Sequence, residues 1–292
     1  TVPVTTAAAA TNEVTTTSEP RPPIPDGELV AVPLQHRQDP PAGRMQLQFH
    51  NGTDARYDVA AVRLVWEGMT TELAPRDPVS VMVRGQVVDY PVPLAPATCV
   101  GDGTRATMPD LADARAELHL ADGTVLAVPV VDHWHVARKL YEQDCERQRI
   151  ESAVTIEWVD LHEATFEGRP VTVAELRLTR RDAVGDITVH DIGHTIPFVV
   201  DPVRTEPGEV VVVLPDGERQ VSVPVRFLES RCDPHALAEI KQPTDFVVRI
   251  DIGDGEIRPY IARPAVELWD DMRLTADRAC VALGKAEFVG DG

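Results

Sequence analysis

Residues 129–145 read PVVDHWHVARKLYEQDC, and residues 264–280 read PAVELWDDMRLTADRAC. Aligned without a gap, these two stretches are identical at five positions, which pair Pro129 with Pro264, Val131 with Val266, Trp134 with Trp269, Arg138 with Arg273, and Cys145 with Cys280. Upstream, YPVPLAPATC at 90–99 and VPVRFLESRC at 223–232 also match, and each ends in a cysteine. Because both blocks recur in the same order, we interpret the chain as two copies of one module, with a boundary near Ile150.

The cysteine spacings follow this duplication. Cys99 and Cys145 are 46 positions apart, and Cys232 and Cys280 are 48 positions apart. Four cysteines allow three pairings, and the duplication selects Cys99–Cys145 and Cys232–Cys280, one disulfide in each module. Closing a loop of this length stabilises a module by about 4 kcal/mol in the chain-entropy model.

Four buried free thiols are the alternative to two disulfides. Metal binding by the thiols is disfavoured, because zinc sites take ligands at short spacing and the sequence has no Cys-x-x-Cys pair. Since disulfides persist in oxidising compartments, we expect an extracytoplasmic protein, either secreted or anchored to the outer face of the cell membrane.

The segments between the cysteine blocks have the pattern of short antiparallel strands. Residues 45–50 and 59–66 are alternating or continuously apolar, and 79–94 reads as two strands hinged at Arg84-Gly85. Asp-Gly pairs supply the positive φ angles of tight turns, so those at 122–123, 216–217 and 254–255 predict hairpins. The predicted hairpins cover residues 114–130, 209–225 and 246–261.

Three-and-four spacing of apolar residues predicts an amphipathic helix at the end of each module, over 131–145 and 265–281, with Trp134 and Trp269 on the buried face. A shorter helix is predicted over 233–241. The predicted fold class is therefore mainly β: two tandem Ig-like β-sandwich modules, each with a C-terminal amphipathic helix and one disulfide. The Cys…Trp…Cys order of antibody domains is not met, so the resemblance to Ig-like folds is one of strand pattern.

Composition defines the flanking segments. Residues 1–27 are rich in Thr, Ala and Pro and predict a disordered tether, followed by module 1 at 28–150, module 2 at 151–286 and a tail at 287–292. The tether is typical of a spacer beyond a removed signal sequence or an N-terminal anchor, and the alternative is the tail of a cytosolic protein. Module 2 contains an apparent insertion at about 181–205, where a specific function would be placed most readily.

The charge balance excludes some classes of partner. The 292-residue chain has 28 Lys+Arg against 47 Asp+Glu, a formal net charge of −19, and only three of its basic residues are lysine. Such an acidic chain lacks the cationic surface that binds nucleic acid. No apolar run of about 18 residues exists, so we expect a membrane link only through an anchor that precedes this chain. The Arg-rich, Lys-poor, acidic bias is actinobacterial-like.

Few residues suggest chemistry. His190 and His194 in HDIGH are the metal candidates, but on a strand their side chains lie about 13 Å apart, too far to share an ion. The turns at 251–256 and 100–103 are calcium candidates without EF-hand spacing. No nucleophile elbow, acylase signature, zinc-protease motif or phosphate-binding loop is present, so we expect neither catalytic residues nor a cofactor.

These observations predict a non-enzymatic binding or scaffold protein of the bacterial cell envelope, an accessory subunit or surface protein with an unidentified protein partner there. One alternative is a secreted hydrolase or metal-dependent enzyme that uses the 181–205 insertion. A second alternative is a structural protein of a virion or an appendage.

Overall fold

The computed structural model describes residues 26–203, 210–233 and 242–285. The predicted tail, the predicted tether up to residue 25 and the predicted helix over 233–241, apart from Asp233, lie outside the described residues.

The described N-terminal half is built from short antiparallel strands. These strands are β1 Leu29–Leu34, β2 Arg44–Asn51, β3 Tyr57–Val65, β4 Ala74–Met82, β5 Val87–Pro93, β6 Arg115–Leu120 and β7 Val125–Pro129. They form two sheets, with the orders β1-β2-β5 and β4-β3-β6-β7. A parallel bridge between Ala31 and Val130 links the two sheets. The predicted hinge at Arg84-Gly85 leads from β4 in one sheet to β5 in the other.

Both of these sheets contribute side chains to one hydrophobic core. Met45, Leu47 and Phe49 alternate along β2 and are fully buried, and they belong to the same cluster as Leu64 of β3 and Leu118 of β6. The residues between them, Gln46, Gln48 and His50, are buried as well, so β2 is covered on both faces and its apolar face is the one in this core. The first core therefore lies between the two sheets.

The described C-terminal half has eight strands. These strands are β8 Val154–Phe166, β9 Arg169–Arg180, β10 Ile187–Ile192, β11 Phe198–Pro202, β12 Val212–Leu214, β13 Gln220–Glu229, β14 Phe246–Asp251 and β15 Arg258–Ala262. They form two sheets, with the orders β11-β13-β9-β8 and β12-β10-β14-β15. The protein is thus mainly β, with several antiparallel sheets.

Aromatic side chains are concentrated in the second core. The Trp158 ring lies 5.0 Å from the Phe227 ring and 5.7 Å from the Phe246 ring, centroid to centroid, in edge-on geometry. The Trp158 indole N–H donates to the Ala262 carbonyl at 3.1 Å, so this buried polar group is satisfied. Edge-on contacts of this kind add about 0.5–1.5 kcal/mol beyond the area that they bury.

Two of the three predicted hairpins are observed, as β6 pairs with β7 and β14 pairs with β15. The prediction over 209–225 is wrong, because β12 pairs with β10 whereas β13 pairs with β9 and β11. The Asp216-Gly217 turn therefore leads from one sheet to the other. An Asp-Gly turn and flanking apolar alternation identify the turn and the strands, but they do not determine whether those strands pair with each other.

Two helices are described, α1 at Val136–Ala153 and α2 at Trp269–Ala282. The predicted helix over 131–145 is wrong at both ends, because α1 begins five residues later and continues directly into β8 at Val154. Asp132 explains the beginning: its carboxylate accepts from the backbone N–H groups of Ala137 and Arg138, at 3.1 and 3.0 Å. A carboxylate at the N-terminus of a helix also interacts favourably with the positive end of the helix dipole.

Helix α1 belongs to both halves of the chain. Tyr141 and Cys145 lie in the first core, whereas Ile150 and Ala153 lie in the second core. Ile150, where the sequence places the module boundary, is therefore an interior residue of the connecting helix. Helix α2 packs on β9 and β13 and buries Met272 in the second core.

The disulfides join Cys99 to Cys145 and Cys232 to Cys280, which is the pairing that the duplicated spacing predicts. Cys99 and Cys232 each follow a strand, β5 and β13 respectively, and their partners lie on α1 and α2. Two disulfides indicate an oxidising environment.

The stretch predicted as an insertion, 181–205, contains β10 and β11. Strand β10 lies inside its sheet between β12 and β14, and it buries Ile187, Val189 and Ile192. A large part of this stretch is therefore core structure of the C-terminal half and not an appended surface loop.

Candidate functional site

A pocket of about 210 Å³ lies between the β8–β9 pair and helix α2. Strand β8 lines it with Leu161, His162 and Glu163, and β9 contributes the buried Thr172. Helix α2 provides the opposite wall through residues spaced three and four apart, which are Asp271, Leu274, Thr275 and Arg278. This spacing places their side chains on one face of the helix.

The polar part of the pocket centres on Glu163. One of its oxygens, Oε2, accepts from the Arg278 guanidinium and from the Thr275 hydroxyl, the latter at 3.1 Å. The hydrogen bond from Arg278 lowers the pKa of the Glu163 carboxyl, and that from Thr275 lowers it further, against the opposing effect of burial. Glu163 is therefore ionised at neutral pH and is unsuited to act as a general base.

An irregularity in β8 determines how the pocket residues are presented. The register with β9 shifts between Val159 and His162, and Asp160 has a φ of 52°, in the left-handed region. The His162 Nδ1–H donates to the Asp160 carbonyl at 2.6 Å, which leaves Nε2 as the acceptor nitrogen of the neutral ring. Bulges and left-handed non-glycine residues occur often beside functional sites.

A second polar cluster lies where the two halves meet. Arg258 of β15 is 3% exposed and pairs with Glu146 of α1, with Asp254 at 2.6 Å and with Glu256 at 2.5 Å. Arg149 of α1 pairs with Asp254 at 2.9 Å. Burial raises the pKa of the Glu146 carboxyl more than Arg258 and Arg149 lower it. This cluster fixes α1 against the β14–β15 turn.

The residues that match between 129–145 and 264–280 do not occupy equivalent environments. Trp269 begins α2 and its ring meets the buried Phe198 ring edge-on at 6.2 Å. Trp134 lies before α1, is half-buried, and stacks edge-on against His133 at 5.1 Å. The expectation that both tryptophans lie on the buried face of a helix is wrong for Trp134, because Asp132 delays the helix start.

The remaining duplicated positions have ordinary surroundings. Pro129 ends β7, and Pro264 lies buried just beyond β15. Arg138 lies on α1, and Arg273 on α2 pairs with Asp277 at 3.3 Å.

The structure does not bring the two metal candidates into one site. His190 lies on β10, and the Nδ1 of His194 accepts from the Val200 backbone N–H at 2.9 Å. Within residues 26–203, 210–233 and 242–285, no three His, Cys, Asp or Glu side chains lie close enough together to hold a metal ion.

The calcium candidates are turns whose carboxylates are already engaged. Asp251 Oδ1 accepts from the backbone N–H groups of Gly253, Asp254 and Gly255. Asp102 Oδ1 accepts from the backbone and hydroxyl of Thr104 and from the hydroxyl of Thr107. Side chains that bond their own turn in this way explain the Asp content of these segments.

The sequence did not predict either the pocket or the polar cluster around Arg258. Glu163 and Arg278 are 115 positions apart, and Arg149 and Asp254 are 105 apart. Neither pair belongs to a sequence motif. The β8 bulge and the continuous helix α1 bring the two members of each pair together in the fold. The spacing of charged residues along α2 was the one available signal, and it is equally typical of a solvated helix face.

Comparisons with known proteins leave the function open. No family model and no curated protein matches the chain. The chain is similar at 10% identity to a crystal structure of a protein of unknown function from Porphyromonas gingivalis W83, over 82% of this chain and 96% of that one, with a TM-score of 0.20. That TM-score is too low to support an argument about fold. Neither α1 nor α2 has the length and apolarity of a membrane-spanning helix.

Proposed function

We propose that this chain is a non-enzymatic binding or scaffold protein of the bacterial cell envelope, built from two tandem Ig-like β-sandwich modules. The observation that carries the proposal is the correspondence between the two halves. Strands β1 to β7 can be matched in order with β8, β9, β10, β12, β13, β14 and β15. The sheet order β1-β2-β5 then corresponds to β8-β9-β13, and the sheet order β4-β3-β6-β7 corresponds to β12-β10-β14-β15. All seven positions agree.

The same correspondence supports the Ig-like assignment. Ig-like sandwiches pair strands A, B, E and D in one sheet and C, F and G in the other. In module 2 these positions are occupied by β8, β9, β13 and β11, and by β10, β14 and β15, with β12 added beside β10. The strand without a counterpart in module 1 is β11, so the addition to module 2 is smaller than residues 181–205.

The disulfides support both the duplication and the compartment. In each module a cysteine beyond the fifth common strand is joined to one on the helix that follows the seventh. Disulfides at matching places argue for a structural role in an oxidising compartment. This role supports an extracytoplasmic location.

A binding or scaffold role is supported by the link between the modules. Helix α1 runs without interruption from the first core into the second, and Arg258 and Arg149 bind α1 to the β14–β15 turn. Two modules held in this way present their outer faces in a defined relation, which favours simultaneous contact with a partner whose sites have a matching spacing. The formal charge of −19 favours a neutral or basic partner surface.

Protease treatment of spheroplasts from the source organism tests the location. We expect the protein to be degraded while a cytoplasmic marker survives, and full protection of the protein would refute the envelope assignment. Cross-linking in intact cells, followed by capture, then tests binding. A defined envelope protein should be recovered with the wild-type chain and lost with Arg258→Met, which is expected to loosen the link between the modules, whereas the surface variant Arg56→Met should retain it.

A further inference from the structure

The pocket between β8, β9 and α2 combines hydrogen-bond donors and acceptors of opposite charge around a small apolar space. We propose that it binds a small zwitterion carrying one ammonium and one carboxylate group, of the class of free α-amino acids. This inference goes beyond the proposed envelope function and does not depend on it, because it concerns the C-terminal half alone.

Arg278 supplies the position for a carboxylate. Its side chain is 43% exposed, and Nη2 contacts Glu163 and Thr275. In the part of the chain that the structure describes, Nε and Nη1 of Arg278 make no hydrogen bond, so two donor nitrogens with three N–H groups are available. A guanidinium with free donors binds a carboxylate in a directional, charge-assisted manner.

Acceptors for an ammonium group lie on the same pocket. Asp271 is exposed and lies one helical turn from Thr275, and the Glu163 carboxylate has its second oxygen, Oε1, outside the Arg278 contact. The Nε2 of His162 is a further acceptor, since Nδ1 donates to the chain. An ammonium has three donors and no acceptor, which matches this set.

The size and walls of the pocket limit the ligand. A volume of about 210 Å³ lies below the roughly 300–1,000 Å³ of pockets for drug-sized molecules, so the ligand is small. Leu161, which packs against the second core, and Leu274 provide apolar contact for a short side chain. The lining has two acidic residues, Glu163 and Asp271, against one arginine, Arg278, so its formal charge is −1 with His162 counted as neutral, which favours a ligand that brings an ammonium.

Calorimetric titration of the full-length protein tests the proposal with L-valine, isovalerate and isobutylamine as probes. Isovalerate keeps the carboxylate and isobutylamine keeps the ammonium, while both retain the branched apolar part of valine. We expect valine to bind in the millimolar range or tighter, and each half-molecule to bind at least about tenfold more weakly. Absence of valine binding, or equal binding of either half-molecule, would overturn the proposal.

Variants assign the binding to the pocket. Arg278→Gln should weaken valine binding at least about tenfold, and Asp271→Asn, at an exposed position that does not endanger folding, should weaken it measurably. Arg273→Gln is the matched control, because Arg273 lies on the same helix and pairs with Asp277 away from the pocket. Unchanged affinity in both pocket variants, or an equal loss in the control, would contradict the assignment.

Discussion

Arg258 of β15 reaches Glu146 of α1 and so joins the C-terminal half of the chain to the helix that begins in the first core. The guanidinium is almost fully buried, whereas the side chains of its partners Glu146 and Asp254 are 30% and 34% exposed. The cluster therefore holds one buried cation with several partly solvated carboxylates. Such a cation is balanced by the set of carboxylates together, so we expect the loss of the cation to cost more than the loss of any one carboxylate.

Removal of that cation should destabilise the junction. Arg258→Met leaves Glu146 and Asp254 facing each other without the charge between them, and we expect a loss of about 3 kcal/mol in the free energy of unfolding. Urea denaturation followed by tryptophan fluorescence measures it. Arg56→Met is the control, because the side chain of Arg56 is 63% exposed and its partner Asp58 is 48% exposed. Its cost should stay within about 0.5 kcal/mol, and equal losses in the two variants would show that the junction contributes nothing specific.

Glu146 should respond to pH in the opposite sense to an ordinary ion-paired carboxylate. Its pKa is raised in the folded state because of burial, so the native protein binds the proton more tightly than the unfolded chain. Stability from this group is therefore fully present below the unfolded pKa and is lost as the pH rises through the raised folded pKa. We expect Glu146→Gln to be neutral or stabilising by up to about 1 kcal/mol at neutral pH, with the difference narrowing toward about pH 4. A strong loss of stability at neutral pH would contradict this account.

Asp144 should show the usual acid sensitivity. Burial, the largest single effect, raises its pKa, but hydrogen bonds from the Ala97 backbone N–H, Gln148 and Arg147 together lower it. A lowered pKa gives stability that is present above the unfolded value near 3.9 and lost as the pH falls through the folded value. Asp144→Asn should cost about 2 kcal/mol at neutral pH.

The pH dependence separates this effect from packing. The difference between wild type and Asp144→Asn should shrink at about pH 3 in urea titrations. Asp113→Asn is a suitable control, since Asp113 is exposed. A difference that stays constant between neutral and acidic pH would assign the loss to something other than the charge of Asp144.

Substitution of Gly103 by alanine should cost more stability than the same substitution at another glycine with a similar backbone conformation. Gly103 has a φ of +73° and Gly123 a φ of +88°, but a Cβ at 103 would lie 2.6 Å from Cys145 Cβ, whereas one at 123 meets nothing within 4 Å. Both alanine variants bear the backbone cost of about 1 kcal/mol. Only Gly103→Ala adds overpacking against the disulfide, about 1–3 kcal/mol more. Thermal denaturation compares them, and equal losses would mean that the loop moves freely away from Cys145.

The strand pattern and the cysteine pairing were predictable from sequence because they depend on local alternation and on a repeated spacing. Alternation along 45–50 predicted β2, and the Asp-Gly turns at 122–123 and 254–255 predicted two hairpins that the structure contains. The same reasoning failed at 216–217, where the turn connects two sheets, because pairing partners depend on the whole topology.

The sites were not predictable for a related physical reason. The start of α1 depends on which side chain caps it, and Asp132 competes with the apolar spacing that favoured an earlier start. The pocket depends on a bulge at Asp160 and on contacts between residues more than a hundred positions apart. Neither feature leaves a periodic signal in the sequence.

The most direct test of the two-module account is disulfide mapping of the protein isolated from its source organism. The protein is denatured and alkylated without reductant, digested, and analysed by mass spectrometry. We expect no alkylated cysteine and two linked peptide pairs, Cys99 with Cys145 and Cys232 with Cys280. Four alkylated thiols, or a bond between one cysteine of each half, would contradict it.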